Sequence, residues 1–197
     1  MSATGRSHVR RSGDAYYTPA WVAALVVPLV PELMDDAATV LDPAAGSGAL
    51  LDGLRAAGAA CWFDGIELDS ASAALSGAPI RAGDALDPAM AWKRLAWKRP
   101  DAVVMNPPFS DCEAFLQRAM TETRRGGTVA MLGRLGFLAS KRRVEALRAY
   151  PPDVYVLSRR PSFTGHGTDS ADYAWFIWRA GVRRERGTLE VLACPER

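Results

Sequence analysis

The chain reads as an open α/β sheet of mostly parallel strands, and three features predict it. Short apolar runs alternate with helical segments from Thr39 onward. One of these runs, Asp101 to Met105, is apolar at every position after the first, as expected of a strand buried on both faces. Acidic, glycine or Asn-Pro residues close the runs at their carboxyl ends, where open α/β sheets collect ligands.

The elements follow in order. Thr18 is placed to cap a helix with Pro19 at its first position, running through Trp21 to about Val30. Thr39 to Asp42 is the first strand, and Ser47 to about Ala57 a helix ended by Gly58. Cys61 to Leu68 is the second strand, Ser70 to Leu75 a short helix before Gly77, and Ile80 to Gly83 a brief third strand. After the Asp101 to Met105 strand come a helix over Asp111 to Thr123, a fifth strand over Thr128 to Leu132, and a basic helix over Ser140 to Ala149 stopped by Pro151 and Pro152. Val154 to Leu157 and the aromatic-rich Tyr173 to Trp178 are the sixth and seventh strands. No helical pattern separates these last two, which predicts an antiparallel pair at one edge, and Thr188 to Leu192 is one further candidate strand. Residues 1–14 are polar and arginine-rich and read as a flexible basic tail, leaving 15–197 as a single domain. Ala-Trp-Lys-Arg occurs at 91–94 and again at 96–99, and reads as a connector packed through Trp92 or Trp97.

Composition removes several function classes. Of 197 residues, 49% are apolar and 23% charged, the balance of a folded globular domain. The most apolar stretch, Trp21 to Val30, is cut by Pro28 and followed by Pro31, too short to span a bilayer. The N-terminus carries Arg6, Arg10 and Arg11 without an apolar segment behind them, unlike a secretory signal, so a cytoplasmic setting with no membrane partner is expected. Cys61, Cys112 and Cys194 are odd in number and far apart, which suggests neither a disulfide framework nor a metal site. With only His8 and His166, a histidine zinc site or a Ser-His-Asp triad lacks raw material, and no metal is expected.

Asp42-Pro43-Ala44-Ala45-Gly46-Ser47-Gly48 joins the first strand to its helix, where glycines let backbone turn tightly and approach a nucleotide-like cofactor. The third small residue of a dinucleotide loop is replaced by Leu51, and no Gly-Lys-Ser or Gly-Lys-Thr occurs, so features that hold a pyrophosphate or triphosphate are missing. Glu67 closes the second strand about 20 residues on, the distance at which an acid reaches ribose hydroxyls. Asp84 closes the third, placed to accept a hydrogen bond from an adenine amino group. Alone, either acid would serve equally as a helix cap or loop carboxylate; Asp42, Glu67 and Asp84 at successive strand ends form a pattern.

Asn106-Pro107-Pro108-Phe109 lies where the apolar fourth strand ends. Pro107 and Pro108 fix the backbone and remove two N–H donors, leaving carbonyls to accept. The Asn106 side-chain oxygen and the Pro107 carbonyl can therefore grip both hydrogens of an amino group and turn its lone pair toward an electrophilic methyl. Phe109 would stack on a planar ring. The alternative is a simple Asn-Pro turn with a core phenyl.

These residues, together with Tyr17-Thr18-Pro19, resemble the S-adenosylmethionine-dependent amino-methyltransferases that modify adenine N6 in DNA. The order is similar to the subgroup in which cofactor motifs precede the catalytic loop. The resemblance implies a Rossmann-like class I methyltransferase fold, with a seven-stranded, mostly parallel sheet, an antiparallel edge strand and helices on both faces. It implies S-adenosylmethionine as cofactor, with Tyr17, Thr18 and Pro19 at its methionine end. Asp42, Ala44, Gly46 and Gly48 would run along the cofactor, Glu67 would hold its ribose and Asp84 its adenine, while Asn106 would stand between cofactor and acceptor. Phe163, in Arg160-Pro161-Ser162-Phe163-Thr164-Gly165, is the candidate for the second face of a flipped base, opposite Phe109; packing under its own loop is the alternative.

Arg124, Arg125, Arg134, Lys141, Arg142, Arg143, Arg148, Arg159 and Arg160 follow the catalytic loop and are expected to form a phosphate footprint, with a solvated helix face as the alternative for 141–148. The expected acceptor is DNA, in a restriction-modification or related setting. Members of this subgroup usually carry a separate target-recognition region, and little sequence follows Trp178, so three alternatives stay open: loose recognition, a partner protein supplying specificity, or a substrate other than duplex DNA. An RNA base or a protein glutamine amide as acceptor remains open, as does a non-catalytic cofactor-binding subunit.

Overall fold

The computed structural model describes residues 17–92, 99–163 and 167–195. The basic tail at 1–14, most of the Ala-Trp-Lys-Arg pair and the loop positions 164–166 lie outside them. The described residues build one eight-stranded sheet in the order β3-β2-β1-β4-β5-β7-β6-β8. The strands are β1 (Thr39–Asp42), β2 (Trp62–Glu67), β3 (Ile80–Ala82), β4 (Ala102–Met105), β5 (Thr128–Arg134), β6 (Asp153–Leu157), β7 (Tyr173–Arg179) and β8 (Leu189–Leu192). β1 to β5 are mutually parallel; β7 runs antiparallel between β5 and β6, and β8 pairs parallel with β6. The eighth strand is the terminal candidate, and its pairing makes it the edge.

The helices are α1 (Ala20–Val26), α2 (Ala49–Ala56), α3 (Ser70–Ala73), α4 (Cys112–Glu122) and α5 (Val144–Ala149). Helix expectations change in α1 and α5. Thr18 does not cap α1: Pro19 is the extended residue before the first turn, and no side chain caps it. The helix also stops at Val26, because Pro28 supplies no N–H, and short 3-10 turns at Val27–Leu29 and Pro31–Met34 carry the chain on. The expected basic helix likewise opens as a 3-10 turn, Lys141–Arg143, before α5.

Successive strand residues point to opposite faces, and here both faces are covered. Val40, Ala102, Val104, Ala130, Leu132 and Trp175 share one core with α1 and α2. Leu41, Val103, Met105, Val129, Met131 and Phe176 share the other, with Phe115 and Ala119 of α4 packed on it. That two-sided burial is why the central strands show no alternation in sequence.

One close approach positions the site. An added Cβ on Gly53 of α2 would stand 2.7 Å from the Ala23 Cβ of α1, so only glycine lets these helices meet so closely. α1 thereby brings the segment before it, Tyr17 to Pro19, toward the carboxyl ends of β1 and β4.

Candidate active site

The site is built where five strands end. Gly46 and Gly48 adopt left-handed φ of 57° and 88°, a conformation costly for other residues, and Gly48 leads directly into α2. The turn before α2 is held from the next strand: Ala45 N–H donates to the Ile66 carbonyl at 3.0 Å, and Gly46 N–H donates to Glu67 Oε2 at 2.7 Å. The other oxygen, Glu67 Oε1, accepts from Asp69 N–H at 3.0 Å. Glu67 is only 2% exposed.

Asp42 and Asp84 make shorter loops of the same kind. Asp42 Oδ1 accepts from Ala44 N–H at 3.0 Å, and Asp84 Oδ1 accepts from Leu86 N–H at 2.8 Å. Asp42 is buried and Asp84 exposed. The segment after Asp84 is pinned from α4: the Arg118 guanidinium donates to the carbonyls of Ala85, Asp87 and Met90 and lies over the Trp92 ring.

Asn106 follows the last residue of β4. β4 pairs in parallel with β1, the strand that leads into the glycine turn. Asn106 Nδ2 donates to Thr18 Oγ1 at 3.1 Å across 88 residues of sequence. Since the amide nitrogen faces Thr18, Oδ1 faces away from it, as an acceptor. Pro107 is buried and Phe109 is exposed to 36%.

The fold has many solved relatives. No family model matches the sequence, and no curated protein matches it. Among solved structures, a candidate class I S-adenosylmethionine-dependent methyltransferase from Listeria monocytogenes superposes with TM-score 0.70 at 16% identity, over 94% of this chain and 68% of that one. The fold is that of the class I methyltransferases. A candidate RNA methyltransferase from Pyrococcus horikoshii gives TM-score 0.63 at 19% identity over 85% and 88% of the two chains. The modification subunit of a candidate type I restriction enzyme from Vibrio vulnificus YJ016 gives TM-score 0.61 at 22% identity; the match covers 94% of this chain and 49% of that subunit.

Within this methyltransferase fold, Tyr17, Thr18, Pro19, Ala44, Gly46, Gly48, Glu67 and Asn106 gather around the ends of β1, β2 and β4, with Asp84 at the end of β3. Phe163 departs from expectation as a stacking surface. It is 3% exposed, its ring packs on Tyr173 at 5.0 Å between centroids, and its carbonyl accepts from Tyr17 N–H at 3.0 Å. Its ring belongs to the α1 side of the core.

The arginine footprint also divides. Arg124 pairs with Asp101 at 2.8 Å, at the amino end of β4, so it lies at the opposite end of the sheet from Asn106. Arg125 lies beside Gly181, just beyond the end of antiparallel β7 that faces the start of β5, and so joins it there. Arg142 and Arg143 face Glu113 of α4, Arg159 covers Trp21 and Arg160 pairs with Asp172. Arg134 reaches the catalytic loop, with its guanidinium carbon 4.0 Å from the Phe109 ring centroid, and Arg143 lines the cavity beside that ring.

Antiparallel β7 explains that contact and was not legible as part of the site. Its register sets Tyr173 opposite Arg134. Tyr173 lies 6.0 Å from Phe109 between ring centroids; its hydroxyl donates to Asp169 Oδ2 at 2.8 Å and accepts from Arg134 Nε at 3.2 Å. Burial pushes the Tyr173 phenol far above its ordinary value. For Asp169 burial acts upward, but bonds from Ala171 N–H, Tyr173 and Arg134 hold the carboxyl below its ordinary range. At neutral pH the cluster is therefore a guanidinium, a carboxylate and a neutral phenol. Phe109, Pro107, Arg134, Arg143, Phe137 and Cys112 are among the residues that line a cavity of about 200 Å³ beside it.

Proposed function

We propose that this chain is an S-adenosylmethionine-dependent N-methyltransferase whose acceptor is an exocyclic amino group, N6 of adenine in DNA. The observation that carries the reading is the amide of Asn106 at the end of β4: its nitrogen donates to Thr18, which leaves its oxygen as the acceptor.

The residues present fit the cofactor. An added Cβ at Gly46 meets nothing within 4 Å, so the turn offers bare backbone to a ligand. Glu67, the acid at the end of β2 that would face a ribose diol, holds the glycine turn in shape through Gly46 N–H. Bound S-adenosylmethionine supplies an electrophilic methyl on a sulfonium. Asn106 Oδ1 and the Pro107 carbonyl would accept hydrogen bonds from the two amino N–H groups, which turns the nitrogen lone pair out of conjugation and aims it; one of those protons is lost to solvent as the nitrogen is methylated, and the protein contributes position and electrostatics and forms no covalent bond. Phe109 offers its ring to the base. Reaching N6 inside a duplex requires flipping the base at a cost of a few kcal/mol, which favours single-stranded or distorted DNA. The likeness to a modification subunit about twice the length of the matched region supports a nucleic-acid acceptor and a separate source of target specificity.

Labelled methyl transfer to DNA, RNA and protein acceptors, measured side by side, tests this. DNA containing adenine is expected to be labelled. Asn106→Ala is expected to abolish transfer while cofactor affinity, measured by calorimetry, changes little. Transfer undiminished in Asn106→Ala would remove this residue from the mechanism, and labelling confined to RNA or protein would reassign the acceptor.

A further inference from the structure

We propose that Arg134 is the residue that selects a phosphate-bearing acceptor. Its guanidinium covers the Phe109 face that a base needs, and yields that face in exchange for a phosphate of the incoming nucleotide. The inference rests on the reading of the site as a base N-methyltransferase.

The geometry sets up a competition for one surface. The Arg134 guanidinium carbon stands 4.0 Å from the Phe109 centroid, about the distance at which two stacked rings lie. A base stacked on that face takes the same volume, so Arg134 must move. It can move. Its side chain is 42% exposed, and its partners are one ion pair, to Asp169 at 3.2 Å, and one hydrogen bond, to the Tyr173 hydroxyl. Asp169, 11% exposed, keeps its bonds from Ala171 N–H and the Tyr173 hydroxyl when the guanidinium leaves. Arg134 closes β5 between Gly133 and Gly136, where the chain turns out of the sheet.

A displaced guanidinium needs a new partner, and phosphate is the one that suits it. Arginine presents five N–H donors in a planar fork that matches phosphate oxygens; the bonds to Tyr173 and Asp169 use two of them. Among the arginines placed after the catalytic loop, Arg134 is the one whose guanidinium lies over the Phe109 ring, whereas Arg142 and Arg160 pair with Glu113 and Asp172 and Arg124 stands at the far end of the sheet. Arg134 therefore joins base stacking to phosphate binding. A nucleoside has to displace it without compensation; a nucleotide provides the compensation itself.

Three acceptors separate these effects: 2′-deoxyadenosine, deoxyadenosine 5′-monophosphate and a short single-stranded oligonucleotide with one adenine. kcat/KM is measured for each with the full chain and its Arg134→Ala and Arg134→Lys variants. In Arg134→Ala the preference for monophosphate over nucleoside is expected to fall roughly tenfold or more, the loss of one charge-assisted bond. The slope of log kcat/KM for the oligonucleotide against log salt should become shallower by about one, a single phosphate contact. The KM for deoxyadenosine should fall in both variants, since neither covers Phe109 as arginine does, while Arg134→Lys keeps the salt slope through its charge.

An unchanged monophosphate preference and salt slope in Arg134→Ala would overturn the proposal, even if kcat drops equally for all three acceptors, because that is the result of a structural role. If the wild-type chain binds S-adenosylmethionine and methylates no adenine acceptor, the proposed function falls and takes this inference with it. Wild-type activity on the oligonucleotide with no response at Arg134 sinks the inference alone.

Discussion

Glu67→Gln is the most direct test of how the cofactor turn is held. The wild-type carboxylate is buried and accepts two backbone N–H groups, Gly46 at 2.7 Å and Asp69 at 3.0 Å, one on each oxygen. A glutamine amide has the same shape but replaces one oxygen with a donor. One of the two N–H groups then meets another donor and loses its partner at a part-buried position. A hydrogen bond to a charged acceptor contributes roughly 1.5–3 kcal/mol, so the variant should lose about 2–3 kcal/mol. For a chain of this size, each kcal/mol lowers Tm by about 2–4 °C, giving a drop of about 4–12 °C. Calorimetric melting at pH 7 reads it. S-adenosylmethionine should raise the Tm of the variant less than that of wild type, because a loosened Gly46 backbone binds more weakly. A variant that melts within 1 °C of wild type would refute the reasoning, since it would mean that Glu67 does not carry the turn.

Two further outcomes follow from other contacts. Thr18→Val removes the acceptor that orients the Asn106 amide; stability should fall by about 1 kcal/mol and kcat by about tenfold, with KM for S-adenosylmethionine nearly unchanged and Thr18→Ser close to wild type. Undiminished kcat in Thr18→Val would make that bond purely structural. At the other edge, burial acts to raise Asp153, but bonds from Arg184 and Thr188 outweigh it and hold the carboxyl below its ordinary range. A depressed folded-state pKa means the stabilisation is full above the unfolded value of about 3.9 and fades as pH falls through the lower folded value. Asp153→Asn should therefore shift the urea midpoint clearly at pH 7 and much less near pH 3; an equal shift at both would show that the carboxylate charge is not involved.

The parts of the site legible in sequence are those whose chemistry lies in the backbone of one short segment. Gly46 and Gly48 announce left-handed turns, and Pro107 and Pro108 announce a rigid strand end, because glycine and proline restrict or free φ wherever they stand. β1 and β4 were legible nearly to the residue, since strands covered on both faces have to be continuous apolar runs. Thr18 shows the limit of such reading. Its position before Pro19 reads as a helix cap, yet its hydroxyl serves a residue 88 positions away, a contact no local pattern records.

Phe163 and the arginines mark the same limit. An aromatic in a glycine-flanked loop looks exposed, but whether its ring is covered depends on Tyr173, which only β-sheet register brings to it. Arg124 and Arg134 stand ten positions apart, at opposite ends of β5, so one faces Asp101 and the other Phe109. Sequence by itself determined the alternating α/β class, the glycine turn and the Asn-Pro-Pro-Phe strand end, because those follow from local conformational preference and burial period. Only the tertiary structure decided which side chains meet across those strand ends, because antiparallel β7, inserted between β5 and β6, sets Tyr173 and Asp169 beside Arg134 through pairing over long sequence separations.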